Sequence, residues 1–170
     1  MSADRFVGGA DEVRLRPWRA EDRDLGEALF DSNTPNYFAA IEKPDFLGFV
    51  DDLPGPYFVL ESLAGEALGC GGYARQPKAP SVAALCWGMV RGDLHGRGLG
   101  QRLLTERLTR IAADPAFKTV DIQTTQHSQG FFARYGFVQT AHVPDGFAPG
   151  MDRVDMTLRL DVYRARQGRL

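Results

Sequence analysis

The sequence predicts an α/β domain built on a mixed, mainly antiparallel sheet. Three observations lead there. Short β-type runs alternate with helical patterns along the chain. Three consecutive β-type runs between residues 57 and 90 have only turns between them. The last of these passes through a glycine-rich turn straight into a strongly amphipathic helix. Runs joined by turns read as an antiparallel meander, and helices interleaved with strands give the α/β class.

Taken in order, Val13, Leu15 and Trp18 mark a short first strand that stops near Pro17. Residues 20–31 read as a helix: acidic residues fill the first turn, and Leu25, Ala28 and Leu29 share one face. Residues 33–52 are interrupted by Pro35 and Pro44 but rich in Tyr37, Phe38, Phe46 and Phe49, which suits one or two short packed helices. Strands are expected over 57–60, 67–74 and 82–90, the second weakened by Gly69, Gly71 and Gly72. The helix over 98–113 carries Leu99, Leu103, Leu104, Leu108 and Ile111 on its apolar face and ends at Asp114-Pro115. A buried strand over 120–124 and a short helix over 128–135, stopped by Gly136, come next. Strands over 137–143 and 154–160 finish the order, joined by a long Gly/Pro/Asp loop.

At 170 residues, 44% hydrophobic and 25% charged, the chain has the balance of one soluble globular domain over 1–170, with residues 1–10 as a flexible extension. A net charge of -2 with scattered basic residues gives no field to attract nucleic acid. No apolar run approaches the roughly 18 to 20 residues that span a bilayer, and the start lacks a signal-peptide core. A cytoplasmic protein that engages neither membrane nor nucleic acid is the expectation. Two cysteines are too few for a disulfide scaffold; Cys70 and Cys86 read as small buried hydrophobes, roughly opposite each other if a hairpin turns at Lys78. Three scattered histidines make no metal site.

The most informative segment is His95-Gly96-Arg97-Gly98-Leu99-Gly100-Gln101, which joins a strand to a helix through three alternating glycines. Such a turn leaves backbone N–H groups unpaired at the positive end of the helix dipole, a geometry that binds phosphate or pyrophosphate. A dinucleotide fingerprint would need glycine where Gln101 stands, and a P-loop would need Gly-Lys-Ser/Thr.

This segment resembles the acyl-CoA motif of the GCN5-related N-acetyltransferase (GNAT) superfamily, Gln/Arg-x-x-Gly-x-Gly/Ala. Gly98 and Gly100 match it, His95 takes the Gln/Arg position, and Val90 matches the hydrophobic end of the preceding strand. Downstream, Phe131-Phe132-Ala133-Arg134-Tyr135-Gly136-Phe137 resembles the family's second signature, a short helix ending in Gly-Phe. The resemblance implies helices on both faces of the sheet and a cleft opened by a splayed strand. Acetyl-CoA would lie in that cleft, its amide arm paired with the backbone near Met89 and Val90 like an added strand. Gly88 is where a β-bulge would create the splay, and the Met89 N–H would stabilise the oxyanion. The pyrophosphate would take residues 95–101, and Thr125, Ser128, Phe131 and Phe132 would touch the thiol end.

Two departures stand out. Many family members carry a tyrosine acid where this chain has Phe132, leaving Tyr135, one turn on, as the alternative donor. A glutamate base is frequent in the strand that here runs 82–90 without a carboxylate, so His127 is the best titratable substitute. Acceptor contacts are expected from Asn33, Tyr37 and Phe38 and from Asp145, Phe147, Asp152 and Arg153, which would suit a cationic amine. Acetyl transfer to a primary amine of a small molecule or peptide is the leading reading. An acyl-CoA sensor that has lost catalysis is the alternative, and a modifier of a macromolecule is the third. A homodimer through the last strands is a further implication of the resemblance.

Overall fold

The computed structural model describes residues 6–168. Its strands are β1 (Val13–Pro17), β2 (Tyr57–Ser62), β3 (Ala67–Gln76), β4 (Ala79–Val90), β5 (Thr119–Thr124), β6 (Val138–Ala148) and β7 (Met151–Arg159). Its helices are α1 (Arg23–Ser32), α2 (Lys43–Asp51), α3 (Leu99–Ala112), α4 (Gln129–Ala133) and α5 (Leu160–Gln167). The strands form one sheet in the order β1-β2-β3-β4-β5-β7-β6, with β4 and β5 the single parallel pair among the described residues. No helix among the described residues is long and apolar enough to cross a membrane.

Helices cover both faces. On one side α1 and α2 bring Leu29, Phe30, Phe46 and Val50 onto Tyr57, Cys70 and Met89. On the other, Leu104, Leu108 and Ile111 of α3 pack with Phe132 of α4 and Leu160 and Tyr163 of α5 over Val120, Ile122, Val154, Met156 and Leu158. A third cluster joins Leu99 and Leu103 to Leu60, Val90, Leu94 and Phe6. Of the stretch expected as a flexible extension, Phe6 is buried in this cluster and Val7 is exposed; Met1 to Arg5 lie outside the described residues.

Two expectations are corrected. Cys86 faces Gly72 across the hairpin while Cys70 faces Met89: the register shift between Arg75 and Gln76, next to the turn, moves Cys86 off Cys70, and a second shift between Cys70 and Gly72 gives Cys70 its partner. The long loop over 144–153 is mostly strand: β6 runs to Ala148 and β7 starts at Met151, with the register shift between Val143 and Ala148 absorbing the Gly/Pro/Asp residues as an irregular ladder. Past Leu160 the sequence reading placed nothing, yet α5 forms there, burying Leu160 and Tyr163 against the core.

Candidate functional site

The site begins with a defect in β4. Three steps from Cys86 to Met89 oppose two steps from Gly72 to Cys70, so the extra residue falls at Trp87-Gly88, where Trp87 takes φ +38°. A bulge bends its strand and strengthens the local twist. Pairing with β5 is confined to Val82, Ala83 and Ala84; beyond them the two strands part. Gly88 thus lies where the sequence placed the bulge, and a wedge opens between β4 and β5.

Which backbone groups face the wedge follows from the ladder. The Arg91 N–H donates to Leu68 O at 2.8 Å, and Met89 pairs with Cys70. Main-chain groups alternate sides along a strand, so Met89 and Arg91 turn theirs to β3, and Val90 turns its own to the wedge. The oxyanion role expected of the Met89 N–H does not fit this arrangement, since that group belongs to the β3 ladder. On the wedge side, the Val90 carbonyl already accepts Asn33 Nδ2 at 2.9 Å and lies 2.9 Å from His95 Nε2. Its N–H is the group left to pair.

At the wide end of the wedge the chain turns into α3. Gly96 and Gly98 both adopt φ +79°, and Gly98 is the N-cap. A side chain there would meet the left-handed penalty. The N–H groups of residues 96–101 find no acceptor among the described residues, the first helical bond being Arg102 N–H to Gly98 O at 3.1 Å. Such a row of donors at a helix start is a fitting seat for a pyrophosphate. Individual side chains do less than expected: Leu99 is core, Arg97 reaches the Phe6 carbonyl at 3.1 Å, and His95 braces the turn against β4 and the Tyr37 ring. Gln101 lines the hollow, while Gly100 leaves room beside Phe131.

A continuous hollow of about 1740 Å³ runs from this turn through the wedge to the opposite face. Thr125, Ser128, Phe131, Phe132 and Tyr135 all border it. Thr125 is buried and its hydroxyl accepts the His127 N–H at 3.2 Å, so it serves the turn before α4. Phe132 is buried and Phe131 half-buried, with Tyr135 packed on the Phe131 ring. His127 is exposed at the mouth, where it also lines a smaller recess with Tyr37 and Met151.

Acceptor residues divide the same way. Tyr37, Phe38 and Phe147 line the hollow, Phe38 stacked on Phe30 and tilted against Trp87. Asn33 also lines the hollow; at 3% exposure it gives its amide N–H groups to Leu29 O and Val90 O and so fixes the end of α1 to β4. Asp145 is not among the residues lining the hollow; its carboxylate accepts the Gly150 N–H at the tip of the β6–β7 arm. Asp152 accepts the Asp145 N–H and His142, and Arg153 pairs with Asp155.

The sequence reading missed the carboxylates of the hollow. Glu42 and Asp45 approach from the α2 side, and Asp121 and Asp155 lie on its floor. Burial pushes the Glu42 carboxyl above its ordinary range, against the pull of the Ala39 N–H, with Asp45 adding to the rise. No local motif announces these residues, because three different elements bring them together. Trp87 could have been noticed as a bulky residue directly before the bulge glycine.

The family model for the acetyltransferase (GNAT) domain matches residues 57–160. No curated protein matches the sequence. Among solved structures, mutant forms of the spermidine/spermine N-acetyltransferase SpeG from Vibrio cholerae share 14% identity, covering 92% of this chain and 99% of theirs at a TM-score of 0.72. An N-acetyltransferase from Staphylococcus aureus shares 16% over 87% of this chain and 98% of its own, at 0.68. The yncA protein from Salmonella typhimurium, solved with its cofactor acetyl-CoA, shares 16% over 88% and 94%, also at 0.68. These likenesses show the fold.

Proposed function

The chain belongs to the GNAT acetyltransferase family, and from that premise we propose that it moves an acetyl group from acetyl-CoA to a primary amine of a small molecule or peptide. The observation that carries this reading is the row of N–H groups over residues 96–101 that have no acceptor among the described residues, opening onto the wedge between β4 and β5. When bound, acetyl-CoA supplies a thioester whose carbonyl carbon takes the amine while the C–S electron pair leaves on sulfur.

The chain's own residues then have distinct tasks. Residues 96–101 hold the pyrophosphate by backbone donors. The Val90 N–H faces the wedge and is the donor available to a carbonyl oxygen there. Phe131 and Phe132 exclude water from the thiol end and donate nothing, so the thiolate leaves by virtue of its own acidity, with a pKa of about 8.5 for a simple thiol. Glu42 takes the proton of the incoming ammonium, directly or through water, because its raised carboxyl is a better base than an ordinary glutamate.

The acceptor is a cationic amine. Trp87, Phe38 and Phe49 supply ring faces, and Glu42, Asp45, Asp121 and Asp155 supply negative charge along one hollow. SpeG, whose fold this chain shares, is a spermidine/spermine acetyltransferase, which puts polyamines first in a test panel. Calorimetric titration with acetyl-CoA, followed by a free-thiol assay over spermidine, a lysine peptide and neutral amino acids, decides the matter. Binding with thiol release on a cationic amine supports the proposal. Binding without release on any amine supports the sensor reading, and absence of binding removes both.

A further inference from the structure

Arg107 lines the hollow, and the proposed function gives it no task. It stands on the buried face of α3 with Leu103, Leu104, Leu108 and Ile111, at 3% exposure. Its Nε donates to Leu103 O at 3.2 Å and its Nη1 to Gly72 O at 3.3 Å. No carboxylate pairs with it among the described residues; the groups acting on its charge are Tyr57, Cys86 and Cys70, all neutral at pH 7. Nη2 has no partner. Since every fully buried side-chain nitrogen and oxygen among the described residues is satisfied, Nη2 must border open space, and Arg107 lines the hollow.

The niche around it is built. A Cβ at Gly88 would stand 2.7 Å from Nη2, and one at Gly71 would stand 3.3 Å from Cζ. Both strands therefore omit side chains where the guanidinium lies. A buried cation without a counter-charge is costly, and leucine at this position would suit the apolar helix face. Burial lowers its pKa to about 10, which leaves it charged at neutral pH.

Position selects the anion that would complete this charge. The acceptor approaches over the α2 face as a cation and would be repelled. The pyrophosphate seat is two helical turns back along α3. What reaches Arg107 is the group held deepest in the wedge, where β4 and β5 begin to part beyond Ala84. The geometry points to Arg107 as the receptor for a carboxylate at the far end of the acyl group, so that the donors extend to dicarboxylic acyl-CoA thioesters of the malonyl, succinyl or glutaryl class. The inference rests on the acyl-CoA reading above. Transfer balances as for acetyl: the amine nitrogen bonds the thioester carbon, the C–S bond breaks with its pair on sulfur, and the ammonium proton goes to the base. The product amide keeps a free carboxylate, held during transfer by a charge-assisted hydrogen bond.

Calorimetry on the full chain tests this without a known acceptor, by comparing each acidic thioester with its methyl-ended counterpart. The pairs are malonyl-CoA with propionyl-CoA, succinyl-CoA with butyryl-CoA, and glutaryl-CoA with valeryl-CoA. At least one acidic member is expected to bind about tenfold tighter than its neutral partner. Arg107→Met should bring that ratio to one, and Arg107→Lys should retain part of it. Equal affinities in every pair, or a preference that survives in Arg107→Met, overturn the proposal. If Arg107→Met does not fold, the wild-type ratios and Arg107→Lys decide alone. Binding of acetyl-CoA with no acidic preference ends this inference and leaves the acetyltransferase reading standing; failure of every thioester to bind ends both.

Discussion

A Cβ at Gly98 must be carried at φ +79°, whereas one at Gly100 would sit in an ordinary helical turn, 3.8 Å from Phe131 Cζ. The two substitutions should therefore part company. Gly98→Val strains the turn by about 1–2 kcal/mol and disturbs the donor row, so it loses both stability and acetyl-CoA affinity. Gly100→Val gains only about 0.2–0.4 kcal/mol of helix propensity, because Val is itself a poor helix former, and its side chain enters the space beside Phe131, so affinity falls while the melting temperature holds. Thermal melts with and without acetyl-CoA separate these outcomes; equal affinity in both variants and the wild type would sink the pyrophosphate seat. Glu42 makes a second prediction at this scale. A base must be ionised to act, so with a carboxyl raised by burial the rate climbs with pH through a limb above the ordinary glutamate range. Glu42→Gln keeps an oxygen to accept the Ala39 N–H but cannot take a proton. It should lower kcat about a hundredfold and erase that limb, and an unchanged pH profile would clear Glu42 of the role.

Helix α5 behaves as a clasp on the end of α3. Its Arg164 donates to the carbonyls of Ala112, Asp114 and Phe117 at 3.1, 3.1 and 3.3 Å, satisfying groups that a helix terminus leaves open. Arg164→Met should cost about 1–3 kcal/mol in urea unfolding and leave acetyl-CoA affinity unchanged, because the clasp lies at the opposite end of α3 from the glycine turn. This helix also marks where reading from sequence stopped short. Elements with a repeating apolar face, such as α3 with Leu99, Leu103, Leu104, Leu108 and Ile111, declare themselves locally. The short α5 buries only Leu160 and Tyr163, and its arginine makes sense only against a distant carbonyl. The site divides by the same rule. The glycine turn and the bulge at Gly88 are written in consecutive residues. The direction of the Met89 N–H depends on ladder register, the fate of Asn33 on a contact with Val90, and the acidic hollow on three elements meeting.

At the scale of the molecule, the start of the chain is fastened to the sheet by a buried ionic group. Arg16 of β1 holds Asp22 through two bonds of 2.8 and 2.9 Å and Glu61 of β2 through one of 2.8 Å; Arg14 adds a second bond to Glu61. Asp22 and Glu61 are 4% and 5% exposed. The Arg16 hydrogen bond, helped by the Arg19 N–H, draws the Asp22 carboxyl below its usual range. For Glu61, burial pushes upward, but the bonds from Arg16 and Arg14 together win and its carboxyl is lowered too. A carboxyl depressed by folding contributes stability that is whole above the unfolded value of about 4 and is lost as pH falls through the folded value. Urea stability should therefore be flat near neutrality and drop steeply below about pH 4. Asp22→Asn should be the weaker protein at pH 7 and should converge on the wild type only as pH falls through the lowered folded value, below which both lack the charge. Arg16→Met should be worse at pH 7 than Asp22→Asn, by about 3–5 kcal/mol relative to wild type, because two buried carboxylates lose their shared cation. Adding Asp22→Asn to Arg16→Met should then restore stability, since it removes one of the stranded charges. A double variant weaker than Arg16→Met alone would show that Asp22 matters here as a packed hydrogen-bond acceptor and not as a charge.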